Sequence, residues 1–163
     1  MASSPLTRAK FGAREILSRQ EDKDKNVIVF DGFTEMDRGE WCGKTKEEIG
    51  EDMMEQFNAC DENVTPEGGE SYHDLVERVI VARNELLEKT DDGNMSAIVS
   101  HLQVTRSILR DALDIPVDQI STLKVATASI TVIDYDSISG TQTVHVQSFK
   151  PDAGLRKSVD GAN

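Results

Sequence analysis

His101 is the first residue to consider for chemistry. It follows Ala97-Ile98-Val99-Ser100, a short apolar run of the kind that forms a buried strand, and it precedes a helix expected over 104–113. A residue so placed sits at the carboxyl end of a strand and beside a helix N-terminus, where open α/β sheets bind ligands and anions are favoured. Its imidazole could touch a phosphate there; equally, it could pack at the strand end with its ring satisfied. Glu35 lies in a loop, 34–41, that holds four charges and the single tryptophan. A carboxylic acid after a strand could give a proton to a leaving oxygen, although taken alone the loop reads more readily as a solvated acidic surface. Gly68 and Gly69 stand just before the longest helical stretch, where they could admit a ligand to its amides or simply make a turn. Arg8 falls in the first turn of a helix, where a cation opposes the macrodipole and wants solvent or an anion. A guanidinium can grip phosphate with two parallel bonds. His73 and His145 read as surface or structural residues.

These residues need elements to hold them. Leu6, Ala9, Ala13, Ile16 and Leu17 recur at helical spacing and predict a helix over 6–19, with Ser4 as its cap and Pro5 at its first position. The run Val27 to Phe30 predicts a strand over 26–30 buried on both faces. A helix is expected over 45–57, with Thr45 and Glu48 as a capping box, and the strongest helix over 71–89. A short buried strand (97–100), a helix (104–113) and a further short helix (117–123) come next. Residues 128–135 and 142–149 alternate, and 137–140 separate them as a hairpin turn. This order predicts an α/β chain with one domain over 1–149 and a polar tail over 150–163.

Composition narrows the partners. The chain has 163 residues, 18 basic against 30 acidic, for a net charge of −12. That field repels nucleic acid and anionic membrane surfaces, so neither is expected as a partner. An anionic substrate would need a local basic pocket working against it. Cys42 and Cys60 form no CxxC pair and read as two reduced thiols, without a disulfide or a zinc site. No apolar stretch reaches the length of a membrane helix and residues 1–20 contain no secretory core, so the cytoplasm is the expected location.

Taken in order, the segments resemble the histidine phosphatase (phosphoglycerate mutase-like) superfamily. Residues 3–9, SSPLTRA, are similar to the family's "SSPLxRA", and residues 34–43, TEMDRGEWCG, to its "xExDxGxWEG". Gly68-Gly69-Glu70-Ser71 matches "GGES", Val99-Ser100-His101 matches "VSH", and Ala128-Ser129-Ile130 resembles the opening of the late strand. The resemblance implies a three-layer α/β/α sandwich and phosphoryl chemistry without metal or cofactor. It implies Glu35 as proton donor, His101 as the second catalytic histidine, and Arg8, His101 and Leu102 as the phosphate-binding set. Gly69, Glu70, Trp41 and Gln103 would line the substrate pocket. The implied partner is a small phosphorylated metabolite or inorganic phosphate.

The chain departs from the family pattern at three places. None of its three histidines lies in the Arg-His-Gly context of the family's nucleophile. Leu102 and Gln103 replace a glycine pair, and Trp41-Cys42-Gly43 stands for "WEG". In the family the Arg-His-Gly segment ends an interior strand, so the sheet is expected to lack that strand. Its loss would leave two facing edges unpaired. The chain is therefore expected to be marginal alone, to close the gap by shifting strands, or to pair with another chain, a homo-oligomer included. Three functional readings remain: a family member acting on a phosphate ester, a non-catalytic relative that binds a phospholigand or a protein, or an unrelated acidic α/β interaction domain.

Overall fold

In the computed structural model, residues 1–21, 26–61 and 63–151 are described, so most of the expected tail lies outside the described residues. Three parallel strands form one sheet in the order β2-β1-β3, with β1 at Ala2–Ser3, β2 at Ile28–Val29 and β3 at Ile98–Val99. The central strand, β1, is absent from the sequence-based expectation because two small residues carry no hydrophobic period. Alanine and serine fit there since both are completely buried between helix layers on either side of the sheet.

Helix α1 (Thr7–Ser18) covers one face. Its Ala9 and Ala13 are buried, and its Gly12 lies against the Val99 side chain. On the other face α4 (Tyr72–Glu88) and α5 (Leu102–Ala112) pack together over a core that includes Ala2, Phe30, Phe33, Leu75, Val79 and Val104. The result is the expected helix–sheet–helix layering.

Three local expectations need correction. Strand β2 is not buried on both faces: Ile28 and Val29 are 47% and 46% exposed, because β2 is an edge strand. The helix expected over 45–57 is two, α2 (Lys46–Ile49) and α3 (Glu51–Asn58), broken at Gly50, whose φ of +101° no helix accommodates. Its capping box, Thr45 with Glu48, is present as expected. Finally, α1 is capped at Leu6 and starts at Thr7, so Pro5 is outside the helix and Ser4 does not serve as its N-cap residue. The Ser4 hydroxyl oxygen instead accepts from the Leu6 amide and lies 2.8 Å from a histidine ring.

The last two strands, β4 (Ile130–Tyr135) and β5 (Gln142–Phe149), pair antiparallel as a separate two-stranded sheet. A buried arginine fastens this hairpin to the helices. Arg83 of α4 donates to Asp111 of α5 at 2.9 Å and to Gln142 at 3.1 Å, and its guanidinium lies 5.1 Å from the centre of the Tyr135 ring. The sheet is therefore in two pieces, three strands and two, joined through α4 and α5. Among the described residues no helix is long and apolar enough to cross a membrane.

Candidate active site

The parallel sheet brings its carboxyl edge to one place. The Ser4 amide donates to Val99 O at 3.0 Å and the Phe30 amide to Ser3 O at 3.0 Å, so the chain leaves β1, β2 and β3 side by side. From that edge start α1, the 31–43 loop and α5. Two helix N-termini thus start from the same edge of the sheet, with their leading amides unpaired within the helices.

His101 is the N-cap residue of α5, with extended backbone angles (φ −131°, ψ 174°). Its ring makes no cap bond; Nε2 lies 2.8 Å from Ser4 Oγ instead. Burial pushes the His101 pKa below its usual 6.5, the nearby Arg8 charge adds to the shift, and Glu35 opposes it. Arg8 and Glu35, far apart in sequence, are therefore both within electrostatic reach of one imidazole. Arg8 occupies the first turn of α1 and is exposed.

Glu35 is tied down by one oxygen only. Its Oε1 accepts from the Met36 amide at 2.9 Å and from the Gln103 amide at 3.3 Å, at the start of α5. No described residue hydrogen-bonds Oε2. The Gln103 side chain is buried: its Nε2 donates to Tyr72 Oη at 3.2 Å and its Oε1 accepts from Arg106 at 3.5 Å. Leu102 is exposed at the first position of α5.

Glu70 braces the loop that carries Glu35. Both of its carboxylate oxygens receive Arg78, and Oε1 also accepts from the Asp37 amide at 2.9 Å. Arg78 in turn donates to Gly32 O and Thr34 O, both at 2.9 Å. Gly69 and Gly39 mark a crossing of two loops. Gly39 has φ +47°, and a Cβ there would meet Glu67 O at 2.1 Å; one on Gly69 would meet Asp37 O at 2.8 Å. An open groove of about 340 Å³ runs past Glu35, Gly69, Glu70 and Arg78. Trp41 is buried edge-on against Phe57, with ring centres 5.1 Å apart. Phe57 also touches Tyr72, at 5.0 Å, so the three rings form one buried cluster, joined to Gln103 through the Tyr72 hydroxyl.

The structure thus brings together His101, Arg8, Glu35, Leu102 and Gln103. It places Glu70, Gly69 and Trp41 in the scaffold around the Glu35 loop. Sequence reasoning gave Ser4 only a capping role, whereas the structure sets its buried hydroxyl 2.8 Å from His101 Nε2. Cys60 is buried, donates to Val117 O, and has its thiol pKa pushed up to about 11 by burial and then Asp118, which makes it inert. Among the described residues no group of three His, Cys, Asp or Glu side chains could hold a metal ion.

Comparison with known proteins assigns the family. The histidine phosphatase superfamily (branch 1) matches residues 1–147. This chain belongs to that superfamily. It is 31% identical over 153 residues to a bifunctional protein, Rv2228c, of Mycobacterium tuberculosis, a match covering 91% of this chain and 41% of the relative. The 163 residues therefore span about two fifths of that relative's length. Among solved structures, YhfR of Bacillus stearothermophilus superposes with a TM-score of 0.78 at 24% identity, covering 92% of this chain and 73% of YhfR. A mycobacterial glucosyl-3-phosphoglycerate phosphatase, Rv2419c, in complex with inorganic phosphate, superposes with a TM-score of 0.74 at 23% identity, covering 91% of this chain and 75% of its own.

Proposed function

We propose that these 163 residues form the phosphate-holding and proton-donating part of a phosphoryl-transfer site for a small phosphate ester, a phosphorylated metabolite. The attacking histidine would come from an extended segment outside them that lies between β3 and the β4–β5 hairpin. The observation that carries this reading is the convergence of Arg8, His101, Ser4 and Glu35 at the carboxyl edge of a parallel sheet, from which two helices start. The split of the sheet between β3 and the hairpin supports the second part.

In this site Arg8, the His101 ring and the amides opening α5 hold the phosphoryl oxygens. A cation and fixed dipoles aimed at those oxygens stabilise the charge of the transition state. The incoming imidazole nitrogen forms a bond to phosphorus as the ester P–O bond breaks. The leaving oxygen takes the proton from Oε2 of Glu35. Glu35, now a carboxylate, then accepts a proton from water; the water oxygen bonds to phosphorus, the P–N bond breaks, and phosphate is released. No metal is required for these steps, because the charge is met by side chains and amides.

A second reading is that the chain only binds phosphate-bearing ligands, which the lack of any Arg-His-Gly context within it favours. One pair of measurements decides. Inorganic phosphate or vanadate should raise the melting temperature of the chain, since a ligand at 100 Kd stabilises by about 2.7 kcal/mol. Arg8→Ala or His101→Ala should abolish the rise; a rise that survives both, or no rise at all, overturns the site. Hydrolysis of p-nitrophenyl phosphate should then appear only when the chain is extended by a strand bearing the Arg-His-Gly segment. Phosphate binding with no turnover in either form would leave the binding-only reading.

A further inference from the structure

We infer that the outer edge of β2 and the groove between it and α4 form a docking site for an extended, basic segment of another protein, taken up as an added strand. The surface is on the far side of β1 from β3 and does not depend on the phosphate site.

The backbone is open at this edge. The Ile28 amide donates to Met1 O and the Phe30 amide to Ser3 O, so by the alternation of a strand the amide and carbonyl of Val29 point away from β1. Among the described residues no strand pairs with that side of β2. Exposed edges are commonly blunted by lysine, proline or a bulge, which keep other chains from pairing there. Residues 26–30, Asn-Val-Ile-Val-Phe, contain no charge and no proline, and Ile28 and Val29 are both about half exposed.

The side chains beside the edge complete a groove of about 770 Å³. Its apolar part is Ile28 and Val29 together with Val81 of α4, which is 62% exposed. Val81 stands on the outer side of an amphipathic helix, where a polar residue is expected, with Glu77 and Glu85 one turn to either side of it. The polar part of the groove is acidic. Five carboxylates, those of Asp31, Glu70, Asp74, Glu77 and Glu85, line it against two cations. Both cations are already engaged, Arg78 by Glu70 and Lys89 by Glu85 at 3.0 Å. An apolar floor with an acidic rim fits a strand of alternating apolar and basic side chains. Bonds to the Val29 backbone would supply affinity, and the floor and rim would select the side chains. The same charge works against a second copy of this chain. Pairing two β2 edges would bring two acidic grooves together in chains that each carry a net charge of −12.

The probe is an end-blocked, fluorescein-labelled nonapeptide of alternating lysine and valine, titrated into the 163-residue chain at low salt and read by anisotropy. A glutamate–valine peptide of the same length is the control. The lysine peptide should bind at least about tenfold more tightly than the control. Glu77→Lys and Val81→Lys, both at exposed helix positions outside the core, should each weaken its binding by about tenfold. Hydrogen exchange tells the two open edges of the sheet apart. Saturating lysine peptide should slow the Val29 amide by at least about tenfold and leave the Ile98 amide, on the outer edge of β3, unchanged. No binding of the lysine peptide, equal affinity for the two peptides, binding that survives both substitutions, or protection of Ile98 in place of Val29 overturns the inference. So does protection of Val29 that rises with the concentration of the chain alone, which would seat a second copy on the edge.

Discussion

The His101 ring shows how the environment of one residue sets what it can do. In the free protein burial and the Arg8 charge hold its pKa below 6.5. A bound phosphate dianion would reverse the balance, since an adjacent negative charge favours the imidazolium. The His101 pKa read from its ring proton resonances should therefore lie below 6.5 without ligand and rise when inorganic phosphate is added. An unchanged value in saturating phosphate would place the anion elsewhere. Folding stability follows with a defined sign. A histidine whose pKa is depressed on folding binds fewer protons folded than unfolded, so its contribution is present above about pH 6.5 and is lost as pH falls through the folded value. The positions of His101, Arg8 and Glu35 at one edge of the sheet were legible because each follows a recognisable strand or opens a helix. The contact of Ser4 with the His101 ring was not, because a buried hydroxyl bond depends on a partner distant in sequence.

At the scale of elements, the longest helix and the two hairpin strands were more legible than the parallel strands. Helix α4 is bounded within a residue of its expectation because its apolar spacing persists for seventeen residues and Ser71 with Asp74 caps it. The parallel strands are only two residues long, too short for any period to show. Nor did the sequence indicate why the two loops around Gly39 and Gly69 carry glycine, which follows from their crossing. That crossing makes a prediction. Gly39→Ala places a methyl against a backbone carbonyl at a left-handed φ, so it should cost at least about 2 kcal/mol and lower the urea midpoint by about 1 M. Gly43 also has a positive φ, +82°, but open space around its Cβ, so Gly43→Ala should cost only about 1 kcal/mol. Equal losses at the two positions would mean that the crossing, which aims Glu35, is not tight in solution.

At the scale of the molecule the decisive feature is the division of the sheet. The carbonyls of Ala97 and Val99 accept from β1, so by the alternation of a strand the amide and carbonyl of Ile98 face the opposite edge. That edge of β3 has no strand paired to it among the described residues, and β4 pairs only with β5. The hairpin keeps its place through the Arg83 cluster and α5 rather than through sheet hydrogen bonds. Buried amides left unpaired cost about 1–3 kcal/mol each, against a typical total stability of about 5–15 kcal/mol. Such a gap makes local opening easy on either side of it. Hydrogen exchange should therefore find the Ser4 and Phe30 amides, which bond across the intact three-stranded sheet, well protected, while the Ile98 amide and the outward amides of β4 exchange fast. Extending the chain by the strand that carries the family's Arg-His-Gly segment should slow the second group by at least tenfold and leave the first nearly unchanged. Uniform protection in the 163-residue monomer would mean that β3 and the hairpin already close on each other, and the proposed place for the nucleophile would be lost with the gap.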